Sequence, residues 1–359
     1  MQSMVLGVDI GGTKCAVISG KVYYNENFHD ILNIGNFNNN NSIKVNNIDR
    51  IEIINRVTFP TEPQKGPIFT LSRIIKELEL LINKNNTSNS NNINYTNDTN
   101  DKKFEAIGIS CGGPLDSKNG IILSPPNLIG WDNIEIVKLL ENHFGIKTKL
   151  QNDANACALA EWQFGAGKGY ENLVFLTFGT GMGAGLILNG KLYSGTNDMA
   201  GEVGHVRLEK HGPVGYGKSG SFEGFCSGGG IAQLARTRVI EALQKGKSVS
   251  FLDGIYNLDN LNAKLVAEAA LNGDDLAKEI YRECGYYLGM GLSMIIDIIN
   301  PEIIIIGSIF GRSKDLLWPQ TEQIIKKESL ELSYKVCKIV PAALGDAIGD
   351  YASLAVALN

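Results

Sequence analysis

An amide and a carboxylate stand side by side at Asn152 and Asp153, inside the run Lys-Leu-Gln-Asn-Asp-Ala-Asn-Ala-Cys-Ala-Leu-Ala-Glu-Trp-Gln-Phe at 149–164. Residues 146–151 include β-branched Ile146 and Thr148 and read as a strand; 154–164 is rich in strong helix formers and reads as a helix. The pair therefore falls on a strand-to-helix junction, where two roles are open. Asn and Asp are favoured helix N-caps because they accept from free backbone N–H groups. A carboxylate fixed at such a junction can also act as a general base, which must sit within hydrogen-bond reach of the hydroxyl it deprotonates. The second role requires a phosphate cradle and a substrate pocket elsewhere in the chain.

Two glycine turns offer the cradle. An apolar strand at 5–9 ends in Asp9-Ile10-Gly11-Gly12-Thr13-Lys14, and a second strand follows at 15–22. A strand at 172–178 runs into Gly179-Thr180-Gly181-Met182-Gly183-Ala184-Gly185 and returns as a strand at 186–189. Glycines permit positive φ and let backbone N–H groups approach an anion closely. Neither turn ends in the Gly-Lys-Ser/Thr of a P-loop, and neither leads into a helix as a dinucleotide fingerprint does. Strand, Gly-Thr turn, strand, used twice, reads as a weak internal duplication. With Gly307 closing a third apolar strand at 303–306, the set suits a nucleotide clamped between two related lobes.

The remaining elements must position these turns. Strands are expected at 51–59, 104–110 and 338–340. Helices are expected at 69–82, 132–144 (capped by Asp132 or Asn133), 231–243, 262–271, 274–299, 315–326 and 349–358. Alternating strands and helices argue for an α/β fold in two lobes, and 359 residues suffice for two cores. The Asn-rich tracts at about 33–47 and 85–100 bury too little apolar surface to offset ordering and read as loop insertions.

Charge and composition narrow the function. A net charge of −5 without a basic block argues against nucleic acid as the main partner. The six cysteines are scattered, as buried free thiols in a reducing compartment would be. The N-terminus has no signal-peptide pattern, and the apolar run at 294–306 is broken by Asp297, Asn300, Pro301 and Glu302, so no membrane span is expected.

Here the chain resembles a known family. Val8-Asp9-Ile10-Gly11-Gly12-Thr13-Lys14 resembles the first phosphate motif of the superfamily that joins actin, chaperone ATPases and sugar kinases. The succession of Asp-x-Gly-Gly-Thr-Lys, Gly-Gly-Pro-Leu-Asp, Asn-Asp-Ala-Asn-Ala, Gly-Thr-Gly-x-Gly-Ala-Gly and Gly-Glu-Val-Gly-His is similar to the ROK branch (repressor, open reading frame, kinase) over nearly all the chain outside the Asn-rich tracts. The resemblance implies a two-lobed actin-like ATPase (ribonuclease H-like) fold with a central cleft. Its smaller lobe would comprise 1–150 plus 346–359 and its larger lobe 151–345. It implies a cytoplasmic, ATP- and Mg²⁺-dependent hexose kinase, glucose 6-OH being the default acceptor and N-acetylmannosamine or N-acetylglucosamine the alternatives. A homodimer is possible, and neither nucleic acid nor membrane is an expected partner.

Carried across residue by residue, the resemblance makes Asp153 the catalytic base. Asn152, Gly112, Gly113, Glu202, His205 and Glu223 become sugar contacts. Gly11, Gly12, Thr13, Lys14, Thr180 and Gly181 become phosphate contacts; Asp9 would orient Mg²⁺ through water, and Gly307 would face adenosine, although the family usually has Gly-Gly where this chain has Gly307-Ser308. One departure matters. Many members carry Cys-x-Cys-Gly-x-x-Gly-Cys-x-Glu, whose thiolates bind structural zinc with the histidine; here those positions hold Val214, Tyr216 and Ser221. Zinc is therefore not expected, and packing of Tyr216, Phe222 and Phe225 is expected to hold the loop. A sugar-responsive repressor is the alternative of a different class. Such members carry a helix-turn-helix before the first motif, and with that motif at Asp9 none is expected here. A non-catalytic sugar sensor is the third reading.

Overall fold

The computed structural model describes residues 2–25, 48–89, 104–252 and 255–359. The chain divides into two compact units, one of Met1–Gly169, Gly190–Ala200 and Asp346–Asn359, the other of Tyr170–Asn189 and Gly201–Gly345. The first unit thus runs past the expected boundary at 150, because the helix that follows Asn152 packs on the closing helix of the chain and on the first unit's strands.

The first unit opens with β1 (Gln2–Ile10), β2 (Lys14–Tyr24) and β3 (Ile48–Pro60), then α1 (Pro67–Asn89) and β4 (Phe104–Cys111). The small hairpin β5 (Leu115–Asp116) and β6 (Ile121–Ile122), α2 (Ile136–Phe144), β7 (Lys147–Asn152) and α3 (Asp153–Phe164) follow. The sheet order is β3-β2-β1-β4-β7, with β1, β2 and β3 antiparallel and β4 and β7 parallel to β1. Alternate side chains of a strand leave on opposite faces, and both faces of β1 are buried. Leu6, Val8 and Ile10 meet Leu71, Ile74 and Leu78 of α1 on one side. Asn85–Asn89, expected to begin an insertion, continue α1; the rest of that tract and the tract at 33–47 lie outside the described residues.

Helix α2 starts later than its expected cap. Asp132 accepts from the Ser124 hydroxyl, Asn133 adopts a left-handed φ of 52°, and Ile134 pairs with Ile122. These residues serve the neighbouring hairpin, and Glu135 at the helix start makes no side-chain cap.

The second unit contains β8 (Leu173–Leu176), β9 (Ala184–Leu188), β10 (Val214–Gly215), β11 (Lys218–Ser219), α4 (Phe222–Phe225), α5 (Gly228–Gln244), α6 (Ala263–Leu271) and α7 (Asp275–Ile299). It continues with β12 (Ile303–Ile306), α8 (Ile309–Glu328), α9 (Glu331–Val336) and β13 (Lys338–Pro341). Its strands run β9-β8-β12-β13, one antiparallel hairpin beside two parallel strands. This repeats the β2-β1-β4-β7 pattern of the first unit and gives the suspected duplication a topological form. Helix α8 begins at Ile309, earlier than the expected 315, and passes a kink at Ser313.

The last helix, α10 (Ile348–Leu358), returns to the first unit and covers the other face of its sheet, where Leu354 and Ala357 join Val5 and Ala106. Close approach depends on Gly108, whose Cβ would lie 2.0 Å from the Ser353 carbonyl oxygen. No described helix is long and apolar enough to cross a membrane.

Candidate active site

In the first unit, strand register gathers the candidate residues at one end of the sheet. Asp9 lies opposite Ser110 of β4, and Cys111 opposite Asn152 of β7, so β1, β4 and β7 end together. The Gly11–Lys14 turn is closed by Gly11 N–H donating to the Lys14 carbonyl at 3.1 Å and Thr61 N–H donating to the Thr13 carbonyl at 3.0 Å. Gly12 lies under Asn127, where a Cβ would come within 2.7 Å of the Asn127 Cβ. Gly113 lies beside Asn152, with 3.1 Å from its Cβ position to Nδ2.

Asn152 caps α3, its Oδ1 accepting from Ala154 N–H at 2.9 Å, and Asp153 Oδ1 accepts from the same group at 2.8 Å. Gln151 braces the junction from behind, its Oε1 taking Asn152 N–H at 2.8 Å and Asn155 Nδ2 at 3.1 Å. Asp153 keeps solvent access, yet the protein packed around it desolvates the carboxylate and holds it above the ordinary carboxylate range, against the pull of the Ala154 and Asp153 backbone N–H groups.

Asp9 is raised to about 7, first by burial and then by the Asp153 and Asp350 carboxylates, with Lys14 and Arg56 opposing. Gly349, at the start of α10, lies on it: its Cβ position is 3.0 Å from Asp9 Oδ2. The next residue, Asp350, accepts from Arg56 Nε on both oxygens, at 2.9 and 2.7 Å. Sequence reading passed over Gln151, Asn127, Arg56 and Asp350. Gln151 adjoins the Asn-Asp-Ala-Asn-Ala motif, but Arg56 and Asp350 are 294 positions apart, and no local pattern links them.

In the second unit, β8 and β12 end side by side. Gly307 N–H donates to the Leu176 carbonyl and Ile309 N–H to the Phe178 carbonyl, each at 2.9 Å, which sets Gly307 next to the Gly179-Thr180-Gly181 turn. Gly228 N–H, opening α5, donates to the Gly179 carbonyl at 2.8 Å. Glu223 is tied to the same turn: Oε2 accepts from Met182 N–H at 2.9 Å, and a Cβ on Gly181 would lie 2.7 Å from that oxygen. Glu202 precedes and His205 ends a 3₁₀ turn whose Gly204 packs on the Met182 carbonyl and the Glu223 Cβ. The structure thus brings Thr180, Gly181, Glu202, His205, Glu223 and Gly307 together in one unit. It gathers Asp9, Gly11, Gly12, Thr13, Lys14, Gly112, Gly113, Asn152 and Asp153 in the other.

The expected packing of the loop before Glu223 needs correction. Phe222 and Phe225 are buried, but Tyr216 is 73% exposed and stands edge-on to His205, the ring centroids 6.4 Å apart. Its φ of 44° places it in a tight turn that points the side chain away from the core. Among the described residues no group of three His, Cys, Asp or Glu side chains is placed to hold a metal ion.

Comparison with known proteins agrees with this architecture. Solved structures that align over nearly the whole chain include a ROK family transcriptional regulator homologous to Escherichia coli Mlc (TM-score 0.74, 22% identity, 98% of this chain and 77% of that one). They also include a ROK glucokinase from Streptomyces griseus in complex with glucose and AMPPNP (TM-score 0.68, 24% identity, 99% of each chain). The fold is that of the actin-like ATPases, as in ROK sugar kinases. The chain belongs to the ROK family, whose pattern it matches over residues 90–358. A glucokinase of Halalkalibacterium halodurans is 30% identical over 303 residues, 83% of this chain and 86% of that protein.

Proposed function

We propose that this protein is an ATP-dependent hexose kinase that moves the ATP γ-phosphate to a sugar hydroxyl, glucose 6-OH being the first candidate and N-acetylmannosamine or N-acetylglucosamine the alternatives. The observation that carries the reading is the Asp153 junction: a carboxylate fixed by backbone N–H groups, capped by Asn152, with a second carboxylate, Asp9, at the same end of the sheet on β1, from which β7 is separated by β4 alone.

In this reading Asp153 accepts the proton of the attacking hydroxyl, and its raised affinity for protons suits it to that task. Within the first unit, Asn152 and the backbone at Gly112 and Gly113 serve as sugar contacts; within the second, Glu202, His205 and Glu223 do. The Gly11–Lys14 and Thr180–Gly181 turns offer N–H groups to phosphate oxygens, and Gly307 adjoins the nucleoside. The residues fit a hydrated magnesium ion, which is held by one or two carboxylates and the phosphates: Asp9 and Asp153 repel one another, and a divalent cation relieves that repulsion. Asp9 would hold the ion through water, and the ion supplies charge neutralisation at the phosphates. Phosphoryl transfer needs positioning and electrostatics more than covalent help, and the rigid strand ends supply positioning.

The likeness to an Mlc-type regulator supports a second reading, a sugar-responsive regulator without transfer activity. Following ADP release with Mg-ATP and glucose separates the two: turnover supports the kinase, and sugar binding without turnover supports the regulator.

A further inference from the structure

The loop between His205 and Glu223 does not fit zinc. Structural zinc takes thiolate, imidazole or carboxylate donors. Val214 has none, Tyr216 is exposed, and the Ser221 hydroxyl is already engaged, capping α4 by accepting from Gly224 N–H at 3.1 Å.

Hydrogen bonds close the loop instead. The β10–β11 hairpin turns at Tyr216 and Gly217, both with positive φ (44° and 74°), the pairing that two-residue hairpins favour. Gln233, on α5, faces Val214 as a strand would. Val214 N–H donates to Oε1 at 2.9 Å, and Nε2 donates to the Val214 carbonyl at 2.9 Å. On the other arm of the hairpin, Lys218 Nζ donates to the His205 carbonyl at 2.7 Å, and Arg207 Nη1 donates to the Ser219 carbonyl at 2.7 Å. The α5 helix that carries Gln233 is anchored by buried Ile231, Leu234 and Ala235.

We propose that Gln233 is the positioning residue that stands in for a loop metal in this chain, holding the hairpin so that His205 and Glu223 present to the acceptor sugar. The proposal rests on the sugar-kinase reading. It separates affinity for sugar, which depends on the clamp, from affinity for nucleotide, which does not.

The test uses the full chain, Gln233→Ala, and Gln233→Glu, which keeps the acceptor and loses the donor. Zinc content, glucose and Mg-ATP kinetics, and hydrogen exchange at the Val214 amide are measured for each. The expected protein carries no stoichiometric zinc and is indifferent to a chelator. Gln233→Ala raises the KM for sugar about tenfold, the scale of one or two neutral hydrogen bonds lost, leaves the KM for ATP within about twofold, and speeds Val214 exchange. Gln233→Glu falls between. One zinc per chain whose removal abolishes sugar binding would overturn the proposal. So would a Gln233→Ala protein with unchanged sugar KM and unchanged Val214 exchange, or one in which both KM values rise together. If the unaltered protein phosphorylates no hexose, the kinase reading fails, and zinc content with Val214 exchange still decides whether the clamp replaces a metal.

Discussion

At the scale of single residues, the two carboxylates differ in their settings, and the difference has consequences. Asp153 sits on backbone N–H groups at a helix start, so replacing it with Asn keeps the cap and removes the base. Asp153→Asn is expected to retain fold and sugar binding by calorimetry while transfer falls by about 10²- to 10⁴-fold. Asp9 has its pKa raised from 3.8 to about 7 by burial and by neighbouring carboxylates. The folded chain holds that proton more tightly than the unfolded chain. The associated stability is therefore complete below pH 3.8 and lost as pH rises through about 7. Asp9→Asn removes this titration. Without divalent cation it is expected to melt higher than the unaltered protein at pH 8, with the gain shrinking toward pH 4; equal melting shifts at both pH values would refute the assignment.

At the scale of elements, close packing of α10 on the sheet positions Asp9, because the start of that helix lies on its carboxylate. Gly108→Val drives a side chain into the Ser353 backbone and is expected to cost about 1–3 kcal/mol in urea unfolding, with apparent Mg²⁺ affinity reduced as well. Much at this scale was legible in the sequence. The strand–turn–strand units and the Asn152–Asp153 junction were readable because periodicity and capping chemistry are local. The start of α2 was not, because Asp132 and Asn133 serve a neighbouring hairpin rather than the helix. The Arg56–Asp350 pair was invisible because tertiary folding alone joins two positions so far apart. Tyr216 misled because an aromatic residue suggests packing, whereas the turn demands a left-handed residue there and leaves the ring outside.

At the scale of the whole molecule, two units share one strand pattern, and each carries a glycine turn and a set of polar side chains of its own. The cysteines are all free; five are buried and Cys157 is partly so. Burial raises the thiols of Cys15, Cys111, Cys157, Cys226 and Cys337 above their ordinary range, so the native protein is expected to alkylate slowly with iodoacetamide at pH 8 and to react fully only when unfolded. Rapid labelling of the native chain would contradict that burial. Family membership leaves transfer and regulation to be separated by activity, and phosphoryl transfer is the activity proposed for this chain. The most direct test follows ADP release from the purified protein with Mg-ATP and each of glucose, N-acetylmannosamine, N-acetylglucosamine, mannose, allose and fructose, with Asp153→Asn in parallel. Turnover with one of these sugars that disappears in the variant is expected; no turnover with any of them, or turnover that survives in Asp153→Asn, would rule out a hexose kinase that uses Asp153 as its base.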